Sequence, residues 1–441
     1  MVVRLTARYP VGLQPGFFVA PVAIAAWLLS RSPRRWVTAS LARECVPVYL
    51  FIAFSCLSAI VFPIAFQGLL VESPRGGVGA IHLLALHLSA TNLSAAAYLV
   101  CCALVFAVVV ETVAASPDGA AERELLAWAL AGISCAAVVG IYQVLAGGLG
   151  LGYPHAFFNS DPAYAQLYRA AVAGQARLTG TFTEASVAAW FFGAATAYCV
   201  WQALFARGRG WHVAALAACA AALALTAAST GYAIGLAVLF LVALRVLLLR
   251  RVTAATVGAL MVAAALLAAG AAWASEDASH VRQLLRELVF GKWRSASYLQ
   301  RSFSNRVAWH VFLATRGLGS GLGSLRASSL AATLLGTVGV IGVLLALWFA
   351  LRLVRLEWRI RSLDRLRFPH REGLIAALAV MIGAGFLSVT DMVFYLPFWA
   401  FLGIYVATAW REACRRSGLG RPPGRGAVGV GPSGYRPAHD C

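Results

Sequence analysis

The sequence predicts an all-α, polytopic membrane helical bundle of about 10–12 spans, because apolar stretches long enough to cross a ~30 Å hydrocarbon core as helix recur along it. Charged residues make up only 12% of the chain and hydrophobic ones 61%, whereas soluble domains carry about 25% charge. Mean hydropathy is +0.78. The remaining polar residues gather in short loops and in two long segments between the apolar runs.

Taken in order, the predicted spans are 11–30, 46–71, 94–115, 125–148, 185–205, 211–230, 231–249, 252–273, 328–351, 372–390 and 392–410. Pro15 and Pro21 interrupt the first, so it is either a spanning helix, a broken one or an interfacial one. Arg4 and Arg8 precede it without a small-residue cleavage site before Arg31, the pattern of a retained span rather than a signal peptide. Residues 1–410 are expected to form a single transmembrane domain. The tail 411–441 is Gly/Pro-rich from Ser417 and is expected to be disordered.

Arginine orients the spans. The net charge of +19 is almost wholly arginine, Lys292 being the one lysine. Arg31, Arg34, Arg35 and Arg43 fill one loop, Arg207 and Arg209 another, Arg250 and Arg251 a third, and the stretch Arg352–Arg371 a fourth. Alternation puts all four on one side, which the positive-inside rule makes cytoplasmic. The acidic loop 116–123 falls there too, without supporting the rule. Charges spread over short loops set topology, so a basic pI of about 10.2 does not imply nucleic acid. Most of the nine cysteines lie in apolar stretches, with no CxxC or Cys/His cluster to hold a metal.

The opposite, outer side then receives 72–93, 149–184 and 274–327. The basic segment Ala274–Ser328 holds Arg282, Arg286, Lys292, Arg294, Arg301, Arg306, Arg316 and Arg326 against Glu276, Asp277 and Glu287. Loops of this length can translocate whatever their charge; the alternative is a bound anion. Two helices are predicted within it. Val281, Leu284, Leu285, Leu288 and Val289 follow helical spacing, either as an interfacial helix or as a packed amphipathic one. The second starts at Ser304 as N-cap and ends by Gly317, with Arg306, Trp309, His310 and Leu313 on one face. That face suits a sugar phosphate; His310 alone also fits a structural role.

Three stretches carry the candidate chemistry. Gly317, Gly319, Gly321 and Gly323 alternate between Arg316 and Arg326. Glycine lets backbone approach a ligand, and successive N–H groups can cradle an anion. No Gly-Lys-Ser follows, so this is no P-loop. Arg177-Leu-Thr-Gly-Thr-Phe-Thr-Glu184-Ala-Ser186 places a cation, hydroxyls and a carboxylate just before a span. Ala227-Ala-Ser-Thr-Gly-Tyr232 is a polar break between two apolar runs.

In this order the three stretches resemble the bacterial O-antigen ligase and O-antigen polymerase superfamily. The resemblance covers about 150–342 and rests on Arg177 to Ser186, Ser229 to Tyr232 and Ser304 to Gly342. It implies a metal-independent glycosyltransferase of the bacterial inner membrane, needing no cofactor and active on the periplasmic face. Its donor would be a glycan on undecaprenyl pyrophosphate and its acceptor a glycan or lipid, among membrane lipids and polysaccharide-assembly proteins. By the same resemblance Arg177 and Arg306 would act on the pyrophosphate. Arg301, Arg316, Arg326, His310, Gly319, Gly321 and Gly323 would bind substrate around them. Ligases of the family carry a histidine where this chain reads Arg326-Ala-Ser-Ser. That departure favours the polymerase side and leaves the base open among Glu184, Asp391, His310 and His155. Glu184 is preferred for its place beside the signature, although pairing with Arg177 would also explain it. Ligation to lipid A core, transport or flipping of a saccharide, and a non-catalytic role in assembly stay as alternatives.

Overall fold

The computed structural model describes residues 3–4, 12–13, 16–29, 39–73, 83–116, 118–158, 171–172, 175–205, 210–249, 296–360, 369–387 and 391–416. Its helices are α1 (Gly16–Leu29), α2 (Ala39–Ala65), α3 (Ala90–Ala114), α4 (Ala120–Gly148), the single turn α5 (His155–Phe158), α6 (Ala185–Phe205), α7 (Gly210–Leu225), α8 (Ser229–Leu249), α9 (Ala296–Ala314), α10 (Leu330–Ile360), α11 (Pro369–Leu387) and α12 (Leu396–Arg416). Three two-stranded hairpins complete the described chain: β1–β2 (Val3–Arg4, Gly12–Leu13), β3–β4 (Leu70–Glu72, Leu83–Ala85) and β5–β6 (Ala171–Val172, Gln175–Ala176). The protein is an all-α polytopic bundle. Among the described residues six helices, α2, α3, α4, α6, α10 and α11, are long and apolar enough to cross a membrane, and α1, α7 and α8 are shorter apolar helices.

Every predicted span on described residues has its helix; the span 252–273, the helix expected around Val281–Val289 and the tail from Ser417 lie outside them. Boundaries differ where local chemistry decides. The span drawn to residue 71 ends at Ala65, just past Pro63. The chain then turns through Gly68 at φ 89° into β3. The span drawn to 351 runs on to Ile360. There Phe349, Leu356 and Ile360 keep one face buried while Arg352, Arg355 and Arg359 occupy the others. The helix expected from Ser304 starts at Ala296 instead. Ser304 bonds back to the Gln300 carbonyl at 3.0 Å, an interior serine rather than a cap.

Helix α6 is the centre. Almost every side chain in it is buried, Trp190 and Phe192 completely, beneath α11, α7 and α8. Around it α3 packs on α12 and α2 on α10. Large apolar side chains such as Leu57, Leu104, Leu344 and Phe240 stay exposed, as expected of faces solvated by lipid.

Partly to largely buried ion pairs gather at one end of the bundle. Arg411 Nη2 meets Glu122 Oε2 at 2.6 Å while its Nη1 donates to the carbonyls of Val113 and Ser116. Arg352 reaches Glu44 at 3.4 Å, and Arg371 reaches Glu357 at 3.3 Å. This end therefore holds the start of α2, α4 and α11 and the finish of α3, α10 and α12, as strict alternation requires. It also accounts for the acidic stretch 116–123, whose Glu122, in the first turn of α4, pairs with Arg411. The other end holds the β3–β4 hairpin, the segment before α6, the α7–α8 break, α9 and the glycine run.

Candidate functional site

The Arg177–Glu184 segment is fastened from three sides. Leu178 N donates to the Leu225 carbonyl at 3.0 Å, where α7 ends, and Arg177 Nε donates to the Thr226 carbonyl at 3.1 Å. From α4, Gln143 Oε1 accepts the N–H groups of Thr179 (3.0 Å) and Gly180 (2.6 Å), and its Nε2 donates to Thr179 Oγ1 at 2.9 Å. Tyr153 OH donates to the Gly180 carbonyl at 3.0 Å. Leu178, fully buried, lies over Gly140, where a Cβ would meet its side chain at 2.9 Å. The segment is thus a rigid shelf at the entrance of α6.

On that shelf Arg177 is half-buried. Burial pushes its guanidinium pKa down, and so does the charge of Arg301 on α9, while Glu184 and Tyr232 pull it up. Four groups from the loop before α6, from α8 and from α9 thus share one field. Glu184 Oε2 also accepts from Ser186 Oγ at 3.0 Å. The polar break works as expected: α7 stops at Leu225, α8 starts at Ser229, and the freed Thr226 carbonyl receives Arg177.

The glycine run has a different task from the anion cradle expected of it. Gly317, Gly319, Gly321 and Gly323 all have positive φ, between 78° and 98°. Gly319 N donates to Thr315 Oγ1 at 2.9 Å, and Ser320 N and Gly321 N donate to the carbonyls of Gly336 and Thr337 at 2.8 Å each. A Cβ on Gly319 would stand 2.5 Å from the Thr337 oxygen, and one on Gly321 2.5 Å from that of Ser58. The N–H groups of Gly319 and Gly321 are committed to protein acceptors, so these two do not offer their N–H groups to a substrate. The reason lies in α10, which breaks at Gly339 (φ 61°, ψ −162°) and releases carbonyls within the bundle. The run fills that gap: Val340 N in turn donates to the Gly317 carbonyl at 2.9 Å. Non-helical backbone at such depth is tolerated when protein satisfies it. Asn92 on α3 ties the run down through the Leu322 carbonyl (2.8 Å) and Ser324 Oγ (2.7 Å).

A second polar group lies beside α9. Glu72, at the end of β3, is buried, and its backbone carbonyl accepts from Arg326 N at 3.1 Å. Burial raises its carboxyl pKa, opposed by Ser304 and by the Arg326 charge. Further along, Ser328 N donates to Asn305 Oδ1 at 2.8 Å, fixing the start of α10 to α9.

The structure thus brings Arg177, Glu184 and Arg301 together, with Tyr232, and places Arg326 at Glu72. Arg306 is exposed five residues past Arg301, about 140° further round a helix of 3.6 residues per turn. His310 and Arg316 are also exposed. His155 packs edge-on against Tyr153, ring centroids 4.7 Å apart, and Asp391 opens a short 3-10 turn before α12. Composition missed Gln143 and Asn92, and gave Glu72 no role. Their signal was a lone amide within an apolar stretch, or a lone carboxylate in an outer loop. No family model matches the chain, and neither a curated protein nor a solved structure matches it.

Proposed function

We propose that this protein is a metal-independent, polymerase-like glycosyltransferase of the bacterial inner membrane. It passes a glycan from undecaprenyl pyrophosphate to an acceptor sugar hydroxyl at the periplasmic face, during surface polysaccharide or exopolysaccharide assembly. One observation carries this reading: Arg177 on its rigid, half-buried shelf and Arg301 on α9, two like charges from separate elements, lie in each other's field. Like charges in a partly desolvated place repel, and an anion between them removes the penalty. In the transfer, negative charge grows on the departing pyrophosphate. Guanidinium groups already in position lower the barrier without reorganising. Glu184 limits their mutual repulsion when the site is empty. Support also comes from the order of the three stretches, each of which sits at one end of the bundle.

Arg177→Ala and Arg301→Ala, expressed in the native host, provide the test. Loss of surface polysaccharide with undiminished protein in the membrane is the expected result; unchanged polysaccharide would sink the reading.

A second reading, a saccharide transporter, draws on the break in α10, since broken helices line many transport sites. Here the released carbonyls of Gly336 and Thr337 are bound by the glycine run, which weakens it. Export by purified protein in liposomes, with no change in glycan length, would restore it.

A further inference from the structure

We propose that Glu72 accepts the proton of the acceptor hydroxyl in this transfer; the inference rests on the glycosyl-transfer reading and supplies its base. Glu72 is 3% exposed, on a hairpin pressed against α9. Its neighbours there, Val71, Leu86, Ala308 and Leu325, form a small apolar cluster that gives a carboxylate no packing purpose. Its Oε2 is fully buried and has no hydrogen-bond partner among the described residues. An ionised oxygen left so costs several times what an ordinary buried polar atom does, and it retains its lone pairs for a proton.

Position supports the role. Among the described residues, the groups facing the carboxyl are the Ser304 hydroxyl from α9 and Arg326 from the segment leading into α10. Ser304 lies three residues from Arg301, so the two share a face of α9. Glu72 and the Arg177–Arg301 pair therefore adjoin the same side of one helix, proton acceptor near one turn and cations near the preceding one. Glu184 is less suited, because its Oε2 is taken by Ser186 and its charge is opposed by Arg177. Burial of Glu72 raises its pKa, which strengthens the ionised form as a base.

The step balances. The acceptor oxygen forms a bond to the anomeric carbon, and the bond from that carbon to the pyrophosphate oxygen breaks. The electron pair leaves with undecaprenyl pyrophosphate, the hydroxyl proton passes to Glu72, and Glu72 later gives it to water.

The test uses purified full-length protein in detergent or nanodiscs, lipid-linked repeat units from the native host, and chain growth as readout. Glu72→Gln is expected to lower kcat by about 10²–10⁴-fold with KM changed by less than about threefold. Because the ionised form is the active one, the wild-type rate should fall as pH drops through the raised pKa. The residual Glu72→Gln rate should lack that acid limb. A kcat within about threefold of wild type, or the same acid limb in the variant, overturns the proposal. Should Glu72→Gln fail to fold, Glu72→Asp decides: kcat down by about tenfold or more at unchanged KM supports it, unchanged kcat overturns it. Wild-type protein inert towards every such donor overturns the transferase reading and this inference together. Loss of activity in Arg177→Ala beside a fully active Glu72→Gln overturns this inference alone.

Discussion

Gln143 and Gly180 meet across the entrance of α6: the glycine N–H donates to the glutamine Oε1 at 2.6 Å, and Thr179 N shares the same acceptor at 3.0 Å. One amide from α4 thereby holds the turn that presents Arg177. Gln143→Leu leaves two buried N–H groups without an acceptor, each costing about 1–3 kcal/mol. Thermal unfolding in detergent should show a clear loss of stability, and polysaccharide production should fall further than protein abundance does.

Arg301 and Arg306 lie on the same helix but in different surroundings. If the Arg177–Arg301 pair binds pyrophosphate, Arg301→Ala should lower kcat by about 10²–10³-fold. Arg306→Ala, at an exposed position, should stay within about threefold. Equal losses in the two variants, measured by chain growth from lipid-linked repeats, would contradict this placement.

Arg177→Lys tests geometry separately from charge. Lysine keeps the cation but loses the planar fork that lets Arg177 bind the Thr226 carbonyl and still face an anion. Most of the activity should disappear while membrane abundance is retained. The same assay with Arg177→Ala should give no further large decrease.

Two glycines separate conformational strain from crowding. Gly68 (φ 89°) has nothing within 4 Å of a built Cβ, whereas Gly321 (φ 98°) would bring one to 2.5 Å from the Ser58 carbonyl and 2.8 Å from Pro63 Cδ. Gly68→Ala should cost about 1–2 kcal/mol, the left-handed penalty alone. Gly321→Ala adds overpacking of about 1–3 kcal/mol against backbone that cannot retreat. Unfolding midpoints of the two variants compare them directly.

At the opposite end, Arg411 and Glu122 are both largely buried, their side chains 12% and 10% exposed. Removing one partner strands a buried charge, at about 3–5 kcal/mol. Glu122→Ala should therefore be more damaging than the double variant with Arg411→Ala, which recovers part of the loss. Recovery stays partial because Val113 and Ser116 lose their shared donor. A double-mutant cycle on unfolding midpoints measures the coupling.

Much of this architecture was legible because membrane helices announce themselves by length and apolarity, as α3, α4 and α6 do within a few residues. The Arg177–Ser186 stretch and the Ser229 break were visible as polar interruptions. What they touch was not, since hydrogen bonds such as that from Gln143 to Thr179 join residues 36 positions apart. The glycines were read as a ligand cradle because φ > 0 serves a tight turn and an anion nest equally. Only the break at Gly339, silent in an apolar sequence, shows which use applies. Likewise Arg301 and Arg306 look alike as letters, and helical phase alone distinguishes them.

The plug that the glycine run forms in α10 also sets an order of assembly. Its anchors, Ser58 on α2 and Asn92 on α3, precede their partners Leu322 and Ser324 by 264 and 232 residues. During synthesis α2 and α3 must therefore wait in the bilayer, the Asn92 amide lacking these acceptors, until α9 and α10 have emerged. A chain stopped before Leu322 would leave that amide without either acceptor. Closure of this end of the bundle thus requires about three quarters of the chain to have been made.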